Sequence, residues 1–183
     1  VVFDECYLGL GWEDRPISVL HPEVSGGDHR GLLAVHSLSK SSSLAGYRAG
    51  FVAGDADLVA ELLAVRKHAG MMMPTPVQGA MVAALDDDAH ETAQRARYER
   101  RRTVLLAALR AAGFAIEHSE AGLYLWATLG EPGRDTVARL ARRGILVAPG
   151  DFYGPRGAQY VRVALTATDE RITAAAARLA DGI

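Results

Sequence analysis

A series of short apolar segments, each bounded by glycine or polar residues, most constrains how this chain can fold. Residues 1–6 and 32–37 are two such segments, and "RAGFVAGD" is a third. Segments of this length and composition are typical of strands in a sheet whose two faces are both covered. A helix is predicted over "DADLVAELLAVRKHAG" directly afterwards. The order predicts an α/β fold, with a mostly parallel sheet flanked by helices.

Two prolines, Pro74 and Pro76, interrupt the chain after this helix. Beyond them the sequence predicts two helices, up to about residue 112, and then short strands that alternate with helices. We therefore predict two domains. Residues 1–75 are the C-terminal part of a large α/β domain, and residues 76–183 are linking helices and a smaller α+β domain.

Composition excludes several classes of protein. The formal net charge is −2, and no basic face or arginine-rich arm is visible, so we predict no nucleic-acid partner. The longest apolar stretches are too short to cross a membrane. The one cysteine, Cys6, allows no internal disulfide and fits the reducing cytoplasm. We predict no metal site.

A lysine within a run of serines follows the second strand. Lys40 lies in "SLSKSSSLAGYRAG", eight residues before Arg48. Arginine binds phosphate in a bidentate manner, and serine hydroxyls and backbone N–H groups also bind it. An amine that attacks a carbonyl must be neutral, a form that a nearby cation favours. The nucleotide-binding pattern G-x-x-x-x-G-K-[ST] does not precede Lys40, so the segment predicts a phosphorylated carbonyl cofactor, most commonly pyridoxal phosphate.

That cofactor also requires a carboxylate that faces its ring nitrogen. Asp4, near the end of the first predicted strand, is the candidate. A carboxylate there keeps the ring nitrogen protonated, and the ring can then accept electrons from the reacting carbon.

These motifs together resemble a known family. "D-x-x-Y" at a strand end, then "S-x-S-K", then an arginine eight residues after the lysine resemble the class I/II aminotransferases of pyridoxal-phosphate fold type I. The segments "GLYLW", "GILVAPGDFYG" and "YVRVAL" resemble the small domain of the same family. The resemblance covers essentially the whole chain but only the C-terminal half of the family's length.

The resemblance implies a role for each motif residue. Lys40 would hold the cofactor covalently and then move the proton between the substrate's Cα and the cofactor. Asp4 would pair with the ring nitrogen, and Tyr7 would hydrogen-bond the ring oxygen. Ser37 and Arg48 would bind the phosphate.

It also implies the substrates and the assembly. Arg162, in "YVRVAL", would bind the substrate's α-carboxylate, and the substrates would be small amino acids and 2-oxo acids. The longer string from "VVFDECY" to "RKHAGMMMPTPVQ" is similar to actinobacterial succinyldiaminopimelate aminotransferases. That similarity implies the glutamate/2-oxoglutarate couple and N-succinyl-2-amino-6-oxopimelate, in lysine biosynthesis. The full-length enzyme would be a cytoplasmic homodimer.

Two alternatives stay open at this point. A carbon–sulfur β-lyase would share Lys40, Asp4 and Arg162 but would need no oxo-acid acceptor. An aminotransferase-like sensor domain of a transcription regulator would retain the lysine and the aspartate without turnover.

The chain starts within a predicted strand, so we expect it to be a piece of a longer protein. The upstream part of the family's site is absent, so this chain alone should be inactive or very weak. Without the upstream strands, residues 1–70 should also leave sheet edges and apolar faces uncovered.

The remaining notable side chains receive mostly structural interpretations. Cys6 and His36 are expected in the core, the first as a small filler. Tyr124 and Trp126 are expected in the core of the small domain. Tyr153 lies either on the surface or at the mouth of a pocket.

Overall fold

The computed structural model describes residues 1–182 and divides the chain into two compact units. Unit 1 is Val1–Arg95 and unit 2 begins at Ala96. The division falls within a long helix, twenty residues after the predicted boundary at 75/76, and that boundary stays a prediction. No helix within residues 1–182 combines the length and the apolar character needed to span a membrane.

Unit 1 contains three strands and four complete helices, and the long helix α5 starts in it. In chain order these are β1 (Val2–Asp4), α1 (Pro22–Ser25), β2 (Leu33–Ser37), α2 (Leu38–Ser41), β3 (Gly50–Gly54), α3 (Ala56–His68), α4 (Thr75–Leu85) and α5 (Asp88–Ala111).

The strands of unit 1 form a mixed sheet in the order β1-β2-β3. β1 runs parallel to β2, with Asp4 opposite Val35, and β3 runs antiparallel to β2, with Gly50 opposite Ser37. The carboxyl ends of β1 and β2 and the start of β3 therefore share one edge of the sheet. At the other end, a Cβ on Gly54 would lie 2.1 Å from the carbonyl oxygen of Leu32, so only glycine fits there.

The expectation of strands buried on both faces was wrong for most of this sheet. All three residues of β1 are exposed, with Val2 64% accessible, and only Leu33 and Ala34 of β2 are buried. Helices α3 and α4 bury none of their side chains. These exposures confirm the expected uncovered faces, because the elements of unit 1 do not supply a layer for each face of the sheet.

Unit 2 holds the rest of α5, four strands and two further helices. These are β4 (Ala115–Glu117), β5 (Tyr124–Thr128), α6 (Gly133–Arg142), β6 (Ala148–Pro149), β7 (Val161–Ala164) and α7 (Asp169–Ala180). Every pairing in the sheet, whose order is β4-β5-β7-β6, is antiparallel.

The two faces of this second sheet differ in character. Side chains alternate between faces along a strand, and one set in β5 and β7 is buried. That buried set is Leu125, Ala127, Val161 and Val163. The helices add a matching apolar set, consisting of Leu105, Leu106, Leu109, Leu140, Ile172 and Leu179. One face thus forms the core, and the other presents Tyr124, Trp126 and Arg162, which are only half-buried.

Candidate active site

The predicted cofactor residues of unit 1 lie at one edge of its sheet. Asp4 is the last residue of β1, and Lys40 lies in α2, directly after β2. Arg48 lies two residues before β3, which starts at the same edge. The carboxyl edge of parallel strands is where ligands bind in open α/β sheets. The topology therefore gathers the three residues at the edge where a ligand is expected.

The turn that carries Lys40 is fixed at its start. Ser37 caps α2, because its Oγ accepts a hydrogen bond from the Ser39 N–H at 3.2 Å. Leu38 is buried and anchors the turn to unit 1, whereas Lys40 is half-buried on the same short helix. The Ser37 hydroxyl proton stays available for an anion while its oxygen caps the helix.

Arg48 occupies a conformation that its side chain disfavours. Its φ is 53°, in the left-handed region, and its Nη1 donates to the carbonyl oxygen of Ala45 at 3.2 Å. The next residue, Ala49, is buried and fixes the backbone, while Arg48 itself is exposed. Left-handed non-glycine residues cost about 1–3 kcal/mol and cluster at functional sites. This strain favours a functional reason for an arginine here.

Cys6 was expected as a buried filler, but it is half-buried beside Asp4. The Cys6 N–H donates to Oδ1 of Asp4 at 3.1 Å. Hydrogen bonds from the Cys6 side chain and then from its backbone lower the pKa of Asp4. Burial, and then the hydrogen bond and the charge of Asp4, raise the pKa of the Cys6 thiol to about 11, while the charge of Lys40 lowers it. The filler interpretation missed this cluster because residue spacing does not specify the local turn at residues 6–9.

These residues fit the expected cofactor. An aspartate with a lowered pKa is ionised at neutral pH, as pairing with a protonated ring nitrogen requires. Lys40 could supply the amine, and Arg48 with Ser37 could supply a cation and a hydroxyl for the phosphate. Tyr7 lies in the turn after Asp4, where its carbonyl oxygen accepts the Leu10 N–H at 2.9 Å.

A buried acidic residue next to Asp4 was not predicted from the sequence. Oε1 of Glu5 accepts hydrogen bonds from Oγ of Ser18, at 3.1 Å, and from the Val19 N–H, at 2.7 Å. Its Oε2 lies 3.1 Å from Nε2 of His36, whose ring stacks on Phe51 at 4.9 Å. The Glu5 side chain is only 7% exposed, so this pair ties β1, β2 and the 18–19 loop together just below the site edge. The alternation of side chains along an extended segment turns Glu5 away from Asp4, and this pattern could have predicted that Glu5 is buried.

Arg162 belongs to unit 2, whereas Lys40, Asp4 and Arg48 belong to unit 1. The Arg162 side chain lies on the sheet face away from the core, in contact with the rings of Tyr124 and Tyr153. The expectation that Tyr124 and Trp126 belong to the small-domain core was therefore wrong. Trp126 lies on the same face, stacked on Tyr160 at 5.2 Å.

Within residues 1–182, no group of three or more His, Cys, Asp or Glu side chains is arranged to hold a metal ion.

Comparison with known proteins identifies a family. Residues 1–179 match the sequence model described as Aminotransferase class I and II. The aminotransferases of this family and fold are pyridoxal-phosphate-dependent enzymes, which confirms the expected cofactor.

Individual relatives carry aminotransferase names. A Mycobacterium tuberculosis protein named as a probable aminotransferase is 76% identical over 179 residues, which cover 98% of this chain and 43% of that protein. The 4-dedimethylamino-4-oxo-anhydrotetracycline transaminase of Streptomyces rimosus is 65% identical over 98% of this chain and 50% of its own length. An LL-diaminopimelate aminotransferase of Nitratidesulfovibrio vulgaris is 34% identical over 99% of this chain and 48% of its own length. The chain thus spans about half the length of the curated relatives it matches.

Solved structures agree with the fold. An aminotransferase from Neisseria meningitidis superposes with a TM-score of 0.86 at 32% identity, over 98% of this chain and 48% of the other. An aminotransferase from Staphylococcus aureus superposes with a TM-score of 0.84 at 28% identity, over 98% of this chain and 48% of the other. These matches confirm the predicted α/β aminotransferase fold.

Proposed function

We propose that this chain, which belongs to the class I and II aminotransferase family, supplies the lysine-bearing part of the active site of an aminotransferase. One observation carries the proposal: Asp4, Lys40 and Arg48 occupy the same edge of the unit 1 sheet. That edge offers an ionised carboxylate, an amine and a fixed cation, and each matches one part of pyridoxal phosphate.

Each side chain has one task in this proposal. Bound pyridoxal phosphate supplies an aldehyde that exchanges amino groups and a ring that withdraws electrons. Asp4 holds the proton on the ring nitrogen, and Tyr7 donates to the ring oxygen. Arg48 and Ser37 would bind the phosphate and so hold the cofactor at the edge that carries Lys40. The Nζ of Lys40 would take the proton from the Cα of the amino donor and pass it to the cofactor, and the reverse transfer would give the Cα of the acceptor its proton.

The substrate carboxylate is assigned to Arg162. A guanidinium binds a carboxylate through two parallel hydrogen bonds, and this geometry orients the amino acid as well as holding it. Such binding at the α-carboxylate suits amino acids and 2-oxo acids as a class.

For the specific reaction, we propose glutamate and 2-oxoglutarate as the amino-group couple and N-succinyl-2-amino-6-oxopimelate as the acceptor, in lysine biosynthesis. The resemblance of residues 1–78 supports this assignment, and so do the LL-diaminopimelate aminotransferases at 34% identity. The whole protein would act as a cytoplasmic homodimer, which light scattering of the purified enzyme would test.

A second acceptor is supported by the 65% identical relative, which is named for amino transfer to a 4-oxo-anhydrotetracycline. The aromatic face of unit 2, with Tyr124, Tyr153 and Trp126, also suits a polycyclic substrate. A polycyclic ketone is therefore the competing acceptor.

Parallel assays of the whole protein would separate these functions. Glutamate is supplied with either acceptor, and the release of 2-oxoglutarate is measured. We expect release with the succinylated oxo acid. Release with the polycyclic ketone alone would replace the proposed acceptor, and pyruvate release from cystathionine without an acceptor would indicate the lyase. A protein that releases neither product would contradict the aminotransferase proposal.

A further inference from the structure

The environment of Arg162 is unusual for an arginine on a strand. Along β7, Val161 and Val163 face the core, so Arg162 faces the opposite side. Its neighbours across the sheet are Trp126 on β5 and Ala148 on β6. No acidic side chain stands at either of these paired positions. The Arg162 side chain is thus held on this face by contacts other than an ion pair with a residue of a neighbouring strand.

Two tyrosine rings flank the guanidinium. Its central carbon, Cζ, lies 4.1 Å from the ring centroid of Tyr124 and 4.9 Å from that of Tyr153. Both distances are within the range of cation–π attraction. Ring contacts occupy the flat faces of a guanidinium and leave its N–H groups, which lie in the plane, directed outward. The tyrosines can therefore fix the plane without using the groups that bind a carboxylate.

The Nε of Arg162 supports this arrangement. It is buried, and it has no hydrogen-bond partner among residues 1–182. A buried donor without a partner is costly, and such groups are normally satisfied by a ligand or by water. The described residues therefore leave one donor of this guanidinium unpaired.

Tyr153 is half-exposed, yet its backbone is fixed. It ends the 3₁₀ segment Gly150–Tyr153, and its ring meets Trp126 edge-on at 5.9 Å. A Cβ on Gly150 would lie 2.3 Å from the carbonyl oxygen of Gly157 and 2.9 Å from the Trp126 ring. The segment therefore packs closely on Trp126. In the same segment, Asp151 accepts a hydrogen bond from Nε of Arg134 at 2.6 Å.

We propose that Tyr124 and Tyr153 are positioning residues, whose rings hold the guanidinium plane of Arg162 ready for the carboxylate of the substrate. The substrate half of this statement depends on the proposed function of Arg162. The aromatic ring of Tyr153 is the acting group, so phenylalanine can replace it and alanine cannot.

The first test reads the guanidinium directly. The Nε–Hε signal of Arg162 is followed by NMR in the ¹⁵N-labelled chain and assigned by its loss in Arg162→Lys. We expect the two rings to shift this signal away from those of the exposed arginines. Tyr153→Phe should keep the shift, and Tyr153→Ala should move the signal towards the exposed arginines. An unmoved signal in Tyr153→Ala would overturn the proposal.

The second test reads carboxylate selection in the whole protein. Binding of glutamate is compared with binding of its α-carboxamide, isoglutamine, which has nearly the same shape but lacks the charge of the α-carboxylate. Tyr153→Ala should reduce the preference for glutamate by about tenfold, the effect of a lost cation–π contact. Tyr153→Phe should keep the preference. The preference falls equally in both variants if the hydroxyl is the acting group, and that result would also overturn the proposal.

Phe152→Ala is the matched control. Phe152 neighbours Tyr153 in the same segment and is 67% exposed, but its ring contacts Arg134 instead of Arg162. This variant should change neither readout. If Arg162→Lys leaves the preference for glutamate unchanged, the proposed substrate role of Arg162 fails, while the Nε–Hε signal still decides whether the tyrosines hold the guanidinium.

Discussion

The two units of this chain differ in how many side chains they bury and in which proposed functional residues they carry. In unit 2, the residues of β5 and β7 that face the helices are buried, and three helices contribute leucine and isoleucine side chains to the same core. In unit 1, β1 is exposed throughout, and α3 and α4 bury nothing. Yet unit 1 carries Lys40, Asp4 and Arg48. The proposed cofactor edge therefore lies on the unit that buries fewer of its own apolar side chains.

The physical reason is the number of layers that each unit supplies. A sheet needs an apolar layer on each face that it removes from water. Unit 2 covers one face with helices and leaves the other to half-buried aromatic side chains and Arg162. Unit 1 leaves apolar residues such as Phe51, Val52 and Leu63 in solvent. Since the chain spans about half of its relatives' length, we propose that the rest of the enzyme covers these faces.

Removing one leucine side chain from each unit should give the largest difference. Leu125 is fully buried, so Leu125→Ala should lower the free energy of unfolding of unit 2 by about 2–5 kcal/mol. Leu63 is 51% exposed in α3, so Leu63→Ala should change the stability of unit 1 by no more than about 0.5 kcal/mol. Urea titration of the chain measures both, and equal costs at the two sites would refute the contrast.

The sequence offers one tryptophan for each unit, Trp12 in unit 1 and Trp126 in unit 2. Labelled with 5-fluorotryptophan, the chain gives one ¹⁹F signal from each. We expect the Trp12 signal to reach its unfolded position at a lower urea concentration than the Trp126 signal, because unit 1 buries less apolar surface. Coincident transitions would mean that the two units unfold together.

Relieving backbone strain should separate stability from cofactor binding within unit 1. Arg48 and Ser43 both have positive φ, 53° and 56°. Glycine at either position removes a strain of about 1–2 kcal/mol, partly offset by the greater entropy of the unfolded chain. Ser43→Gly should raise stability and leave the affinity of the whole protein for pyridoxal phosphate unchanged. Arg48→Gly should be as stable but should bind the cofactor more weakly, and equal affinity in both variants would remove Arg48 from the phosphate site.

The Cys6 thiol gives the smallest effect and reports the Asp4 cluster. Its pKa is raised from 9.0 to about 11, so the thiol should react with iodoacetamide only slowly at pH 9. Because the folded pKa is the higher one, this group stabilises the fold fully below pH 9, and the contribution is lost as the pH rises towards 11. Asp4→Asn removes the carboxylate charge and should make the thiol react faster at pH 9. An unchanged rate would show that Asp4 does not act on Cys6.

Sequence patterns predicted most of the elements and the positions of the motif residues. Helix α3 is capped by Asp55 and α7 by Thr168, because local hydrogen bonding decides helix starts. Burial was harder to predict, since an apolar strand such as β1 looks the same whether or not another layer covers it. The contacts of Cys6 with Asp4, of Glu5 with His36 and of Tyr153 with Arg162 were also missed. They depend on turns and on cross-strand register, which residue spacing does not specify.

The central claim is that Lys40 holds the cofactor. The sequence contains two lysines, Lys40 and the exposed Lys67 of α3, so each serves as the control for the other. The whole protein is incubated with pyridoxal phosphate and reduced with borohydride, and the modified peptide is identified by mass spectrometry. We expect the label on the peptide that contains Lys40, its loss in Lys40→Ala and its retention in Lys67→Ala. Label that persists in Lys40→Ala at the wild-type level would contradict the claim.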